Sequence, residues 1–257
     1  MTDNIIQEKS HQILILRIHR PDQKNALTHA MYTALADGLA EGHNDRDVRA
    51  ILITGNTECF TAGNDLSEFA SGLPDEFQHT PVGRFLFGLA EATKPVVAAA
   101  NGPAVGIGTT LLLHCDLAFA GRNTTFRMPF TNLGLCAEGA SSLLLPHWLG
   151  RVRAGELLLL GRPFDAEKAE RYGLINSVCD PSETETTAWN TCLELAALPP
   201  AALRATKELM NAATAEEVSG AMQREGERFA QRLQSPEATE AFTAFSEKRA
   251  PDFSRFN

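Results

Sequence analysis

Val97-Ala98-Ala99-Ala100-Asn101-Gly102-Pro103-Ala104-Val105-Gly106-Ile107-Gly108 is the stretch from which the rest of the chain is read. Val96 to Ala100 is a short apolar run behind Pro95, long enough for a buried strand and too short for a helix. Gly102, Gly106 and Gly108 then make a glycine-rich turn, and Thr109 to His114 continues as an apolar helix. Strand, turn and helix start is the arrangement in which backbone N–H groups at a helix N-terminus point at a ligand oxygen. A dinucleotide-binding fingerprint would need a glycine at position 111, where Leu111 stands, and an acid further on than Asp116. The phosphate-loop, zinc-protease and serine-elbow motifs are also missing.

A second turn of the same kind lies upstream. Phe60-Thr61-Ala62-Gly63-Asn64-Asp65-Leu66 follows a buried strand, Val48 to Thr54, and opens a short helix ending at Phe69. Two helix-start amides brought together would form an oxyanion hole. The sequence alone does not say whether these two meet.

Working outward, Ile13 to His19 alternates apolar and polar residues as a strand does, and Arg20-Pro21-Asp22 ends it. Thr28 can cap a helix running to about Gly42, with Met31, Leu35 and Leu39 on one face. Ser71 to Pro81 reads as a surface loop that helps shape a pocket, and Phe85 to Ala92 as a helix. Asp116 to Ala120 and Thr125 to Met128 are expected strands; Ser141 to Leu149 and Arg153 to Leu160 are expected helices. Asp165 caps a helix to Arg171 that Gly173 ends, and Leu174 to Cys179 is the last strand. Everything after Ser182 is helical, punctuated by Pro199, Pro200 and Pro236. The class is α/β, with a core over residues 1–195 and a helical region over residues 196–257.

A chain of 257 residues can bury a core without a metal or disulfide staple. Its net charge of −9 carries no basic stripe and argues against a nucleic-acid partner. Five cysteines with no CxxC pair read as reduced thiols. The polar start and the lack of a long apolar run lead to the expectation of a cytoplasmic protein with no membrane partner.

Several motifs then resemble one family in order and spacing. They are Asn25-Ala26-Leu27, Phe60-x-Ala62-Gly63-x-Asp65-Leu66, Asn101-Gly102-x-Ala104-x-Gly106 and Leu133-Gly134. Gly161-Arg162-x-Phe164-x-Ala166, Ala169-x-x-x-Gly173-Leu174-Ile175 and Phe245-Ser246-Glu247-Lys248-Arg249 extend the match over nearly the whole chain. The chain resembles the crotonase (enoyl-CoA hydratase/isomerase) superfamily. The resemblance implies a spiral of ββα turns with C-terminal trimerising helices, and assembly as a homotrimer or a hexamer built from two trimers. It implies an acyl-CoA thioester as substrate, with CoA present only as part of that substrate and no further cofactor. It assigns the oxyanion-hole amides to Asn64 and Ile107. It implies CoA contacts from Lys24, Ala26, Ala62, Asp65 and Leu66, and from Phe245 and Lys248 toward a neighbouring subunit. Asp65 also reads as a local helix cap.

The side chains must choose the reaction, since the superfamily shares enolate stabilisation. Hydratases of the family place one glutamate where this chain has Thr110 and another where it has Phe130. One acid remains nearby, Glu138, in Leu135-Cys136-Ala137-Glu138-Gly139-Ala140. That segment resembles the peroxisomal-type Δ3,Δ2-enoyl-CoA isomerases, in which the matching glutamate is the base. A single base suffices for a double-bond shift, because C2 and C4 lie on one face. The alternatives are a ring- or epoxide-type CoA isomerase of aromatic degradation, residual hydratase activity, and a non-catalytic acyl-CoA-binding protein. His114 and His147 read as packing or interface residues and Ser141 and Ser142 as a helix start. Phe85, Phe87 and Leu89 suit either core or acyl pocket.

Overall fold

The computed structural model describes residues 4–69 and 76–256. In chain order the elements are β1 (Ile5–Ser10), β2 (Ile13–Ile18), α1 (His29–Asn44), β3 (Ala50–Thr54), α2 (Leu66–Phe69), α3 (Pro81–Ala90), β4 (Val96–Ala100), β5 (Pro103–Val105) and α4 (Ile107–Thr110). They continue with β6 (Leu117–Gly121), β7 (Thr125–Arg127), α5 (Ser141–Leu149), α6 (Arg151–Leu160), β8 (Phe164–Asp165), α7 (Ala166–Arg171) and β9 (Ser177–Cys179). Four helices close the chain: α8 (Thr184–Ala197), α9 (Pro200–Ala212), α10 (Ala215–Leu233) and α11 (Pro236–Ser246).

The larger sheet has six strands in the order β1-β2-β3-β4-β6-β9, and every pair except β1–β2 is parallel. A smaller sheet has the order β5-β7-β8. Successive turns feed one strand to each sheet: β4 is followed by β5, and β6 by β7. Isolated bridges Leu27–Asn64 and Thr61–Ala104 carry the smaller ladder back to the two earlier turns. The result is the expected spiral of ββα turns.

Burial explains the strand sequences. The strands AILIT of β3 and VVAAA of β4 are buried throughout, as parallel strands covered on both faces must be. One face packs into the main core under α1 and α3. The other carries Ile13, Ile15, Ala50, Leu52, Val97, Ala99 and Phe119, and is covered by Ala188 and Cys192 of α8. This corrects one expectation. The strand at Ile13 is buried on both faces rather than alternately, because α8 returns to cover the second face.

Four other departures are local. The sequence does not announce β1, a mostly exposed edge strand joined to β2 through His11 and Gln12. Both turn residues have positive φ (51° and 65°), the geometry of a two-residue hairpin, but neither is the glycine or asparagine that advertises one. Pro103 to Val105 is a strand rather than part of a turn, and Thr109 to His114 splits between α4 and a 3-10 turn. The last strand is three residues long and begins at Ser177 rather than Leu174. The first part of the expected loop from Ser71, residues 71–75, lies outside the described residues; Phe77–His79 is a 3-10 turn. Among the described residues no helix is long and apolar enough to cross a membrane.

Candidate active site

The two glycine turns meet through the smaller ladder. Thr61 N–H donates to Pro103 O (2.9 Å) and Val105 N–H to Thr61 O (3.0 Å). On the far side Leu27 N–H donates to Gly63 O (2.8 Å) and Asp65 N–H to Leu27 O (2.9 Å). Gly63 has φ +91°, and a Cβ there would stand 2.8 Å from Val105 O, so a side chain would push the two turns apart. Gly106, at φ +57°, donates its N–H to Arg127 O (2.8 Å) and leaves Ile107 as the first residue of α4. Among the described residues the amides of Asn64 and Ile107 donate into none of these ladders. They are two orphan donors on adjoining turns, which is what an oxyanion hole requires.

These turns border a cavity of about 490 Å³. Ala62, Asn64 and Leu66 line it from the first turn and Val105 and Gly106 from the second. Pro129, Phe130, Leu133 and Leu135 form one wall; Phe229, Phe242, Phe245, Pro251 and Phe253, from α10, α11 and the tail, form another. Arg127, Asn132 and Arg249 supply polar groups. An apolar pocket with few polar groups suits an acyl ligand. The tail is pinned by buried Glu240, which accepts from Arg249 (2.5 Å), Arg255 (2.7 Å) and the Asp252 amide (2.9 Å).

Glu138 lies behind the second turn. It is 6% exposed, and its Oε1 accepts the Thr110 hydroxyl; the Thr110 amide in turn donates to Gly106 O (3.0 Å). Burial lifts the Glu138 carboxyl to about 8, partly opposed by the Thr110 hydrogen bond and assisted by the nearby negative charge of Glu225. Glu225, on α10, is 7% exposed and accepts from the amides of Ala140 (2.6 Å) and Ser142 (2.9 Å). His114 bonds to Gly139 O through Nε2 (2.8 Å); burial holds its imidazole below its usual pKa and favours the neutral form, which donates there. The buried Tyr32 hydroxyl donates to Asn64 Oδ1. Its phenol is pushed well up by burial and by Glu138.

The structure thus brings Ala62, Asn64, Leu66 and Phe245 into one cavity, with Ile107 adjoining it and Glu138 one residue behind through Thr110. Phe245 lines the cavity of its own chain, whereas the resemblance directs it to a neighbour. Lys24 and Ala26 act here through their backbones: Lys24 O accepts Ala62 N–H (2.9 Å) and Ala26 O accepts Arg20 Nη1 (3.0 Å). Asp65 accepts from Ser67 N–H (3.1 Å) and from Arg20 (2.6 Å). Lys248 is exposed and outside the cavity lining. Sequence reasoning missed Tyr32, Arg20 and Glu225. Only Glu225 left a trace: Val218, Met222, Glu225 and Phe229 form the buried stripe of α10, and an acid in such a stripe requires buried partners.

A family model described as enoyl-CoA hydratase/isomerase matches residues 8–255. The chain is 33% identical to the 1,2-epoxyphenylacetyl-CoA isomerase of Escherichia coli (strain K12), over 98% of this chain and 99% of that protein. It is 34% identical to enoyl-CoA delta isomerase 2 of Rattus norvegicus, over 90% of this chain but 60% of that longer protein. Proteins named as hydratases match at similar identity. Among solved structures, Pseudomonas aeruginosa OdaA superposes with a TM-score of 0.93 at 48% identity, over 95% of this chain and 99% of that one.

Proposed function

Because the chain belongs to the enoyl-CoA hydratase/isomerase family, we propose that it moves the double bond of a 3-enoyl-CoA to the 2-trans position, with Glu138 as the only proton carrier. The observation that carries this reading is the Glu138–Thr110 pair. The position where a hydratase would hold one glutamate is a threonine bonded to the remaining acid, and the other is Phe130, a cavity wall.

In this reading the thioester oxygen sits against the amides of Asn64 and Ile107. Glu138 takes the C2 proton, the charge spreads as a dienolate over the oxygen, C2 and C4, and the protonated carboxyl returns the proton at C4. A carboxyl with a pKa near 8 is a stronger base than an ordinary one and still gives the proton back at neutral pH. Phe130 and Leu135 present no group that would activate water. Lys24 and Lys248, outside the cavity lining, are assigned to the phosphates of the CoA arm. Assembly of three copies through the C-terminal helices belongs to the same proposal. Leu209 (77% exposed) and Met210 (68%) on α9 offer apolar surface for it, and sedimentation of the purified chain tests it.

A second reading has its own support. The Escherichia coli relative is named for an epoxide substrate, and five phenylalanines line this cavity, which suits a ring-bearing acyl group. The test is to give the purified protein trans-3-hexenoyl-CoA, crotonyl-CoA and 1,2-epoxyphenylacetyl-CoA in parallel. Conjugated 2-enoyl-CoA formation with little hydration supports the one-base isomerase. Hydration at comparable rate refutes it, and turnover of the epoxide alone transfers the reading to ring chemistry. CoA-ester binding with no turnover of any of the three supports a binding role.

A further inference from the structure

The segment that carries Glu138 is held in an unusual shape. Gly139 (φ +65°) and Ala140 (φ +56°, ψ 14°) are both left-handed, and Ala140 is a fully buried residue with a Cβ. Such a conformation persists only where neighbours enforce it. The N-cap of α5 is Ala140, which has no side chain to cap with; the Ser141 amide (3.2 Å) and hydroxyl (2.6 Å) donate back to Glu138 O, and the amides of Ala140 and Ser142 need other acceptors. Those two amides find theirs on a residue more than eighty positions away. Glu225 Oε2 accepts Ala140 N–H (2.6 Å) and Oε1 accepts Ser142 N–H (2.9 Å). On the other side His114 Nε2 bonds to Gly139 O (2.8 Å).

We propose that Glu225 is a positioning residue for Glu138: its carboxylate clamps the strained turn that aims the base and sets a second negative charge behind it. This rests on the isomerase reading of Glu138. The two acids divide their roles by their partners. Both Glu225 oxygens receive backbone N–H groups, which favour the ionised form, whereas Glu138 has the single Thr110 hydroxyl. The proton therefore rests on Glu138. Burial raises the pKa of Glu225 as well, opposed by its hydrogen bonds to Ser142 and Ala140. The other titratable groups around the pair are Tyr32 on α1, His114 before β6, Cys136 in the same loop, and Arg224, Arg228 and Arg232 on α10. Tyr32, His114 and Cys136 are held toward their neutral forms by burial. Arg224 supports the charge on Glu225.

The test is Glu225→Gln in the full chain, labelled with 13C-glutamate, with the Glu138 signal identified by its loss in Glu138→Gln. The Glu138 titration midpoint is expected to fall by about one pH unit, the scale of one nearby charge in a protein interior. The rising limb of kcat/KM for 3-enoyl-CoA should move down with it. A slackened turn should lower kcat by about tenfold or more with KM little changed. A lower melting temperature with the Glu138 midpoint and kcat both unchanged would show a purely structural role and overturn the proposal. If Glu225→Gln does not fold, Glu225→Asp keeps the charge but withdraws the clamp. It should leave the midpoint raised and still lower kcat, and an unchanged kcat overturns the proposal. The carbon titration needs no substrate, so a protein that isomerises nothing would sink the isomerase reading while this clamp is still measured.

Discussion

Replacing Glu138 with glutamine should abolish double-bond isomerisation and make the protein more stable at alkaline pH. The carboxyl is raised from 4.5 to about 8 by burial. Stability associated with its neutral form is fully present below about pH 4.5 and is lost as pH rises through about 8. Linkage puts that loss at about 2 kcal/mol by pH 6 and about 5 kcal/mol by pH 9. Glutamine never ionises and keeps an oxygen for the Thr110 hydroxyl, so it escapes the loss. Urea unfolding of both proteins at matched concentration, at pH 6 and pH 9, isolates the effect, since other titrating groups are common to both. The stability difference should grow in favour of Glu138→Gln by about 3 kcal/mol between the two pH values. In the parent, kcat/KM should rise about tenfold per pH unit below 8 and level off above it. A stability difference that does not change with pH would show that Glu138 ionises at an ordinary pKa, and the reasoning from burial would fail. Retained activity in the variant would remove Glu138 from the mechanism.

Three further outcomes follow from single contacts. Thr110→Val removes the hydroxyl that opposes burial at Glu138, so the rising limb of kcat/KM should move to higher pH, while the reverse displacement would contradict the hydrogen bond. Gly63→Ala places a methyl group 2.8 Å from Val105 O at a φ of +91°; it should cost roughly 1–3 kcal/mol in thermal or urea unfolding and reduce kcat by separating the two amides. Glu240→Ala frees Arg249, Arg255 and the Asp252 amide, so the segment carrying Pro251 and Phe253 should loosen from the cavity; KM should rise several-fold with kcat less affected, on the scale of about 1 kcal/mol of lost acyl contact.

Much of this was legible because it depends on local pattern. The runs AILIT and VVAAA could only be buried strands, and the glycines of the two turns mark the backbone that must approach closely. Thr28 and Asp165 cap their helices as their positions predict. What was hidden depends on contacts far apart in sequence. β1 pairs through a turn of His11 and Gln12, residues with no special turn preference. The meeting of the Asn64 and Ile107 turns rests on a single bridge between Thr61 and Ala104, which no periodicity encodes. Tyr32 reads as one more buried residue of α1, and only its hydroxyl at Asn64 distinguishes it. Glu225 is an acid in a helix rich in acids, and its burial against Ala140 and Ser142 appears only once α10 is docked on α5.

That docking also brings the C-terminal helices to the site. Residues 1–195 hold the two turns, Thr110 and Glu138, and a sequence-based boundary there suggests a complete site with a helical attachment. The cavity is lined from both sides of that boundary. Phe229, Phe242, Phe245, Pro251 and Phe253 close one wall, and Glu225 reaches from the same region to the turn behind the base. Without these helices the cavity would open to water along that wall, and the turn behind the base would lose Glu225. The same exposure would admit water to a dienolate that must be reprotonated at C4. In the proposed reaction the C-terminal helices are therefore part of the site, because they wall the cavity against water and hold, through Glu225, the turn that carries the base.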